Sequence, residues 1–183
     1  MGRWTYAAVL LNLRVNRHLP DSPHPLMPDD LAVDRSLHVN FFADRAALAG
    51  AVARLDDPSC ARVSAQLPLR VNLSALQNLA LIPLYHKQAG TETAQALAFD
   101  LLQRLGCGAI AARHEADLTA RERFVVLLAR ALMLKRARLV IDQPGALLYD
   151  EPYPALIRSL HAMAGDDKTW EIYDYAWNRV LYE

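Results

Sequence analysis

The chain has 183 residues, 53 % of them hydrophobic, enough for one domain with a full core and too many for a disordered tail. Its 20 basic and 20 acidic side chains cancel, which argues against nucleic-acid binding driven by a global basic field. Cys60 and Cys107 are too few for a disulfide scaffold and fit a reducing compartment.

The apolar stretch near the start is interrupted by Asn12 and Arg14. It is too short to span a bilayer and lacks the flanks of a cleavable secretion signal, so a cytoplasmic protein is expected. Residues 6–15 read as a buried strand. Residues 18–30 read as a loop, because Pro20, Pro23, Pro25 and Pro28 each remove a backbone donor and fix φ. A second strand is expected at 37–42, then a packed helix over 45–55 ended by Asp56, Asp57 and Pro58.

Residues 62–70 suggest a short strand interrupted at Pro68, and 73–81 a helix stopped near Pro83. A helix over 91–105 has apolar residues at 94, 97, 98, 101, 102 and 105, and Gly106 closes it. The longest helix is expected over 119–134, a fully apolar strand over 139–141 and a helix over 154–164. Residues 169–182 are rich in aromatics and allow no firm assignment. One α/β domain over 1–183 covers this alternation.

The run Leu118-Thr-Ala-Arg-Glu-Arg-Phe-Val-Val-Leu-Leu-Ala-Arg-Ala-Leu132, followed by Leu139-Val-Ile-Asp-Gln-Pro144, resembles the signature helix and Walker B strand of ABC-type ATPases. Other landmarks stand in the same order. Gln66 takes the Q-loop position, and Leu73-Ser74, Asn78 and Pro83-Leu84 match the pattern that follows it. The helix over 91–105 is similar to the family's lid helix. Upstream, the stretch 53–63 is similar to a family segment that places the Walker A loop at 39–47.

The resemblance implies an α/β, P-loop NTPase-like core with a mostly parallel sheet. It also implies a helical subdomain over about 73–117 and, from the short step between Val63 and Gln66, a reduced antiparallel β subdomain. The residues that would do chemistry depart from the family pattern. Val39, Phe42 and Asp44 stand at the Walker A glycines, Arg45 at its lysine and Ala46 at its metal-ligating hydroxyl. Asp142 keeps the Mg²⁺ position, but Gln143 replaces the glutamate that polarises water, and an amide is no general base. Ala120 and Arg121 replace the signature glycines after Thr119, and Asp174 or Tyr175 stands where the switch histidine would be.

Blander readings accompany several of these residues. Thr119 and Glu122 also make an ordinary capping box, and Arg121 also suits an exposed surface. The stretch 149–152 reads as a loop and helix start, with Pro154 near the first helical position. His18 and His24 lie with three aspartates but without compact ligand spacing, and Cys60 and Cys107 have no C-x-x-C partner. The aromatic cluster of Trp170, Tyr173, Tyr175, Trp177 and Tyr182 suits core packing, or a protein-binding surface where exposed.

The expected function is a catalytically inactive ABC-ATPase-like subunit that docks or regulates an ABC transport system. It would need no cofactor, ATP and Mg²⁺ included, and would not bind nucleic acid. Its expected partner is an active ABC ATPase or a transporter membrane subunit, with a homodimer also open, and its location cytoplasmic or peripheral at the inner face of the membrane. The resemblance supplies a docking mechanism: a groove between the Q-loop and the helical lid receives a coupling helix. The alternatives are a nucleotide binder or slow ATPase using Arg45, Arg121 and Asp142, and a small-ligand binder with an apolar pocket near Phe41 and Phe42.

Overall fold

Among the described residues four parallel strands make a sheet: β1 (Leu37–Phe42), β2 (Cys60–Val63), β3 (Arg138–Asp142) and β4 (Thr169–Tyr175), in the order β1-β4-β3-β2. The structure is a computed structural model describing residues 36–55, 58–149, 151–165 and 167–183. The strand expected at 6–15 and the loop at 18–30 lie outside those residues.

Parallel neighbours cannot be joined by tight turns, so β1, β2 and β3 are each followed by a helical connection before the next strand. The helix α1 (Arg45–Ala53) covers one face, setting Leu48, Ala51 and Val52 against Val140 and Tyr173. The helices α4 (Ala120–Leu132) and α6 (Tyr153–Ala164) share the other core with Leu139, Ile141, Trp170 and Ile172. The alternation of a strand explains the division, since Val140 points opposite to Leu139 and Ile141. Register aligns Val63, Ile141, Ile172 and Val39 in one row across all four strands, an apolar line beneath the second face.

Beyond α4 lie α2 (Ala75–Tyr85), α3 (Thr91–Arg104) and two 3-10 turns, Gly108–Ile110 and Glu115–Asp117. The end of α3 follows from Gly106. Its φ of +72° lets Cys107 N–H donate to Leu102 O at 2.8 Å and Gly106 N–H to Gln103 O at 2.9 Å, satisfying two terminal carbonyls. A four-residue helix, α5 (Pro144–Leu147), follows β3.

Several boundaries differ from those expected. The helix expected over 73–81 runs through Pro83 to Tyr85. Proline deletes one helical N–H so close to the end that little helix is left to break, and Gln88 N–H returns to Pro83 O at 2.9 Å. The strand expected at 62–70 is Cys60–Val63, because the chain turns at Ser64, where Leu67 N–H bonds Ser64 O at 3.0 Å. With 13 residues α4 is shorter than the 14-residue α3, so it is not the longest helix. The aromatic segment divides into β4 and a 3-10 turn, Ala176–Leu181. Among the described residues no helix is long and apolar enough to cross a membrane.

Candidate functional site

In a parallel sheet all strands end at the same edge. Ligand crevices open there where successive connections pass to opposite faces, here beside β1, whose helix α1 lies on the opposite face from α4 and α6. At this edge only Ala43 and Asp44 separate β1 from α1, so Val39 and Phe42, at expected Walker A glycine positions, lie within the strand. Asp44 is the N-cap of α1, and its Oδ1 accepts Ala47 N–H at 2.8 Å. The anion-attracting end of this helix therefore already holds a carboxylate from its own chain. Arg45 follows as an exposed side chain. Phe41 meets Tyr182 edge-on with ring centroids 5.4 Å apart, and the guanidinium of Arg179 sits 4.8 Å from its ring centre.

Asp142 ends β3 and is only 3 % exposed. Ser64 Oγ donates to its Oδ2 at 2.9 Å, and Gln143 Nε2 donates to its Oδ1 at 3.3 Å. Gln143 is held in the left-handed region at φ +50°, an unusual conformation for a residue with a side chain, and accepts a hydrogen bond from Tyr175 OH at 3.2 Å. On the other side, Gln66 N–H donates to Ser64 Oγ at 3.3 Å. A chain of hydrogen bonds thus joins Gln66, Ser64, Asp142, Gln143 and Tyr175 across the ends of β2, β3 and β4.

Asp174, 1 % exposed, closes this network. Its Oδ1 accepts from Tyr175 N–H and Asn178 Nδ2, and its Oδ2 from the hydroxyls of Tyr153 and Tyr182; the four distances are 2.8, 2.8, 2.9 and 2.9 Å. Burial, reinforced by the neighbouring carboxylate, pushes both phenols well above their ordinary range, which keeps them as donors. Four donors on a buried carboxylate satisfy it without a cation.

Thr119 and Arg121 stand apart, and among the described residues no hydrogen bond links them to this network. Thr119 Oγ1 accepts Glu122 N–H at 3.2 Å, while Glu122 Oε2 accepts Thr119 N–H at 2.9 Å, the reciprocal capping box. These bonds, led by the one from the Thr119 backbone, hold the Glu122 carboxyl below its usual range. Arg121 is exposed, and neither Cys60 nor Cys107 forms a disulfide. No group of three or more His, Cys, Asp or Glu suited to a metal occurs among the described residues.

A concavity lies beside Gln66, away from the strand ends. It is a groove of about 1070 Å³ between the loop after β2, the outer face of α2 and the C-terminal end of α4. Two side chains shape its wall. Arg130 donates from Nη1 to Pro68 O at 2.7 Å and from Nη2 to Leu67 O, tying the loop to α4. Asn78, 2 % exposed, accepts Arg70 N–H at 2.8 Å and donates to the carbonyls of Arg70, Leu73 and Ser74. Asn78 and Arg130 were legible only as landmarks of a resemblance; the structure gives them work as clamps. Ser64, Tyr153 and Asn178 were missed, because each acts through a partner remote in sequence or outside the recognised runs, and Tyr182 was read only as a member of the aromatic cluster.

Comparison with known proteins points the same way as the strand order. No family model matches the chain. The glutamine transport ATP-binding protein GlnQ of Escherichia coli K12 is 29 % identical over 119 residues, 65 % of this chain and 50 % of GlnQ. The bacterial ABC transporter cassette MJ0796, solved as a dimer, superposes with a TM-score of 0.52 and 27 % identity over 64 % of this chain and 53 % of its own. A metal-chelate type ABC transporter in an inward-facing conformation superposes with a TM-score of 0.63 and 15 % identity, covering 76 % of this chain and 62 % of the other. The chain spans about half the length of the curated relative it matches. It has the α/β fold of ABC ATPases, with homology to their ATP-binding domains over about two thirds of its length.

Proposed function

We propose that this chain is an ABC-cassette-like subunit that does not hydrolyse ATP and that docks or regulates an ABC transport system. The observation carrying this reading is that the anion- and cation-binding groups of the strand-end crevice are already partnered within the chain. Asp44 caps the helix end that would hold phosphate, and Asp142 and Asp174 accept hydrogen bonds at both oxygens from neighbouring donors. Gln143 polarises no water, because its amide carries no basic lone pair, and Ala46 offers Mg²⁺ no ligand. On this reading the residues present do not fit Mg²⁺-ATP, and no step through it is derived.

The partner would be a transporter membrane subunit or an intact ABC ATPase, with the protein peripheral at the inner face of the membrane. Support comes from the homology to a transport ATP-binding protein, the dimeric cassette among the solved relatives, and the open groove beside Gln66. Calorimetry with ATP and Mg²⁺ tests the catalytic half: no saturable heat and no turnover are expected. Saturable binding with turnover would favour the alternative site built on Arg45, Arg121 and Asp142. Affinity capture from native membranes tests the other half, and recovery of neither class of partner would overturn it.

A further inference from the structure

The groove beside Gln66 joins apolar walls to a cationic rim. Leu67, Leu81, Ile82, Leu134 and the exposed ring of Tyr85 line it. Three arginines also line it, Arg62, Arg70 and Arg130, and no carboxylate does so among the described residues. Arg130 is engaged with the Leu67 and Pro68 carbonyls. The side chains of Arg62 and Arg70 make no hydrogen bond or ion pair among the described residues. Burial, and after it the like charge of Arg70, holds the Arg130 guanidinium below its ordinary pKa, so the two arginines stand close enough to repel. The walls are set by the chain itself: Asn78 fixes the backbone at Arg70, Leu73 and Ser74, and Arg130 fixes it at Leu67 and Pro68.

We propose that this groove is a binding site for a small amphiphilic organic acid, whose carboxylate head pairs with Arg70 and whose hydrocarbon body lies along Leu81, Ile82 and Leu134. The size fits. About 1070 Å³ lies at the upper end of small-molecule sites, roughly 300–1,000 Å³, which are mostly apolar with a few fixed polar groups. The head follows from Arg70. Its guanidinium offers donors that meet no acceptor among the described residues, beside a second guanidinium that repels it. A carboxylate takes two of those donors in a fork and offsets the repulsion, while Arg62 adds a further positive charge on the same groove. The body follows from the aliphatic walls, since each methylene laid on them leaves water, a gain that an inorganic anion cannot make. A plain hydrocarbon, in turn, would leave Arg70 without a partner. The site does not depend on docking to a transport system, because every group it uses belongs to this chain.

The test titrates the full chain by calorimetry with monomeric decanoate, with decyltrimethylammonium, which has the same chain and the opposite charge, and with acetate, which has the head alone. Decanoate should bind saturably at one site per chain, more weakly at high salt, and the other two should not bind. Arg70→Ala, at an exposed position, leaves the fold intact and should lower the decanoate affinity by about tenfold or more. Arg70→Lys should recover part of that loss, since it restores the charge without the fork. Leu81→Ser should also weaken binding, and if it fails to fold, the two Arg70 variants decide. Absence of decanoate binding, equal affinity in the parent and Arg70→Ala, or several equivalent sites per chain would overturn the proposal. Acetate binding as tightly as decanoate would do the same, because the apolar walls would then contribute nothing. Binding confined to phosphatidylglycerol vesicles, with no binding of monomeric decanoate, would also overturn it and make this face a membrane contact.

Discussion

The strand-end crevice and the groove beside Gln66 lie at neighbouring places in one fold, yet they treat polar groups in opposite ways. At the strand ends Asp142 and Asp174 are buried, and each oxygen has a donor from the chain. At the groove Arg62 and Arg70 sit beside apolar side chains and have no carboxylate partner among the described residues. The difference separates groups that hold the protein together from groups left over for something else. A buried carboxylate must be satisfied before folding is complete, so its donors are structural; an unpaired surface cation costs little and keeps its full capacity for a partner.

Removing Asp174 should break the comparison most severely. Asp174→Ala leaves the Tyr153 and Tyr182 hydroxyls and the Asn178 amide without their acceptor, and should cost about 3–4 kcal/mol, read as a lower urea midpoint. A loss under about 1 kcal/mol would mean that water replaces those bonds and the edge is not self-satisfied. The same network predicts an alkaline limit. Tyr153 and Tyr182 have pKa values raised from about 10, so the folded state holds their protons more tightly than the unfolded state. Their stabilisation is complete below pH 10 and is lost as pH rises above it. Tyr182→Phe should flatten that decline, and an unchanged slope would count against the pairing.

Next in size is Ser64→Ala, which removes the donor to Asp142 Oδ2 and should cost about 1–2 kcal/mol, because one face of a buried carboxylate is left bare. Asp44→Ala should cost about 1 kcal/mol through loss of the α1 cap. It also probes function, since it vacates the helix end that a phosphate would need. If Asp44→Ala then gave saturable ATP binding by calorimetry, the crevice would be a masked nucleotide site rather than a lost one.

What was legible in the sequence was what short-range chemistry decides. The span of β1, the closure of α3 by Gly106 and the Thr119–Glu122 capping box each depend on residues within a few positions of one another. The overrun of α2 past Pro83 was not legible, because whether a proline ends a helix depends on how much helix remains and on what takes up the freed groups. The network at the strand ends was hidden for a different reason. Ser64 meets Asp142 across 78 positions and Tyr153 meets Asp174 across 21, and nothing in a hydroxyl's local sequence reveals such a partner. Asp174 was singled out as a histidine replacement, a reading about ancestry; its four donors make it the buried anchor of the C-terminal turn. The groove could be expected from the resemblance, but its cationic rim could not, since Arg62 and Arg70 become neighbours of Arg130 only once β2 and α4 pack together.

The smallest effect gives the most discriminating comparison. Arg70 has no carboxylate partner among the described residues and stands near Arg130, which is committed to the Leu67 and Pro68 carbonyls. Arg70→Ala keeps the backbone groups that Asn78 binds and removes one member of a like-charged pair. Its stability should therefore stay within about 0.5 kcal/mol of the parent, with a slight gain at low salt that fades as screening shortens the reach of the repulsion. Arg130→Ala differs in kind, since it releases the loop, and it should destabilise the protein by more. If Arg70→Ala instead cost 1 kcal/mol or more, Arg70 would be holding the fold, and the division between self-satisfied carboxylates and unspent arginines would fail at the groove.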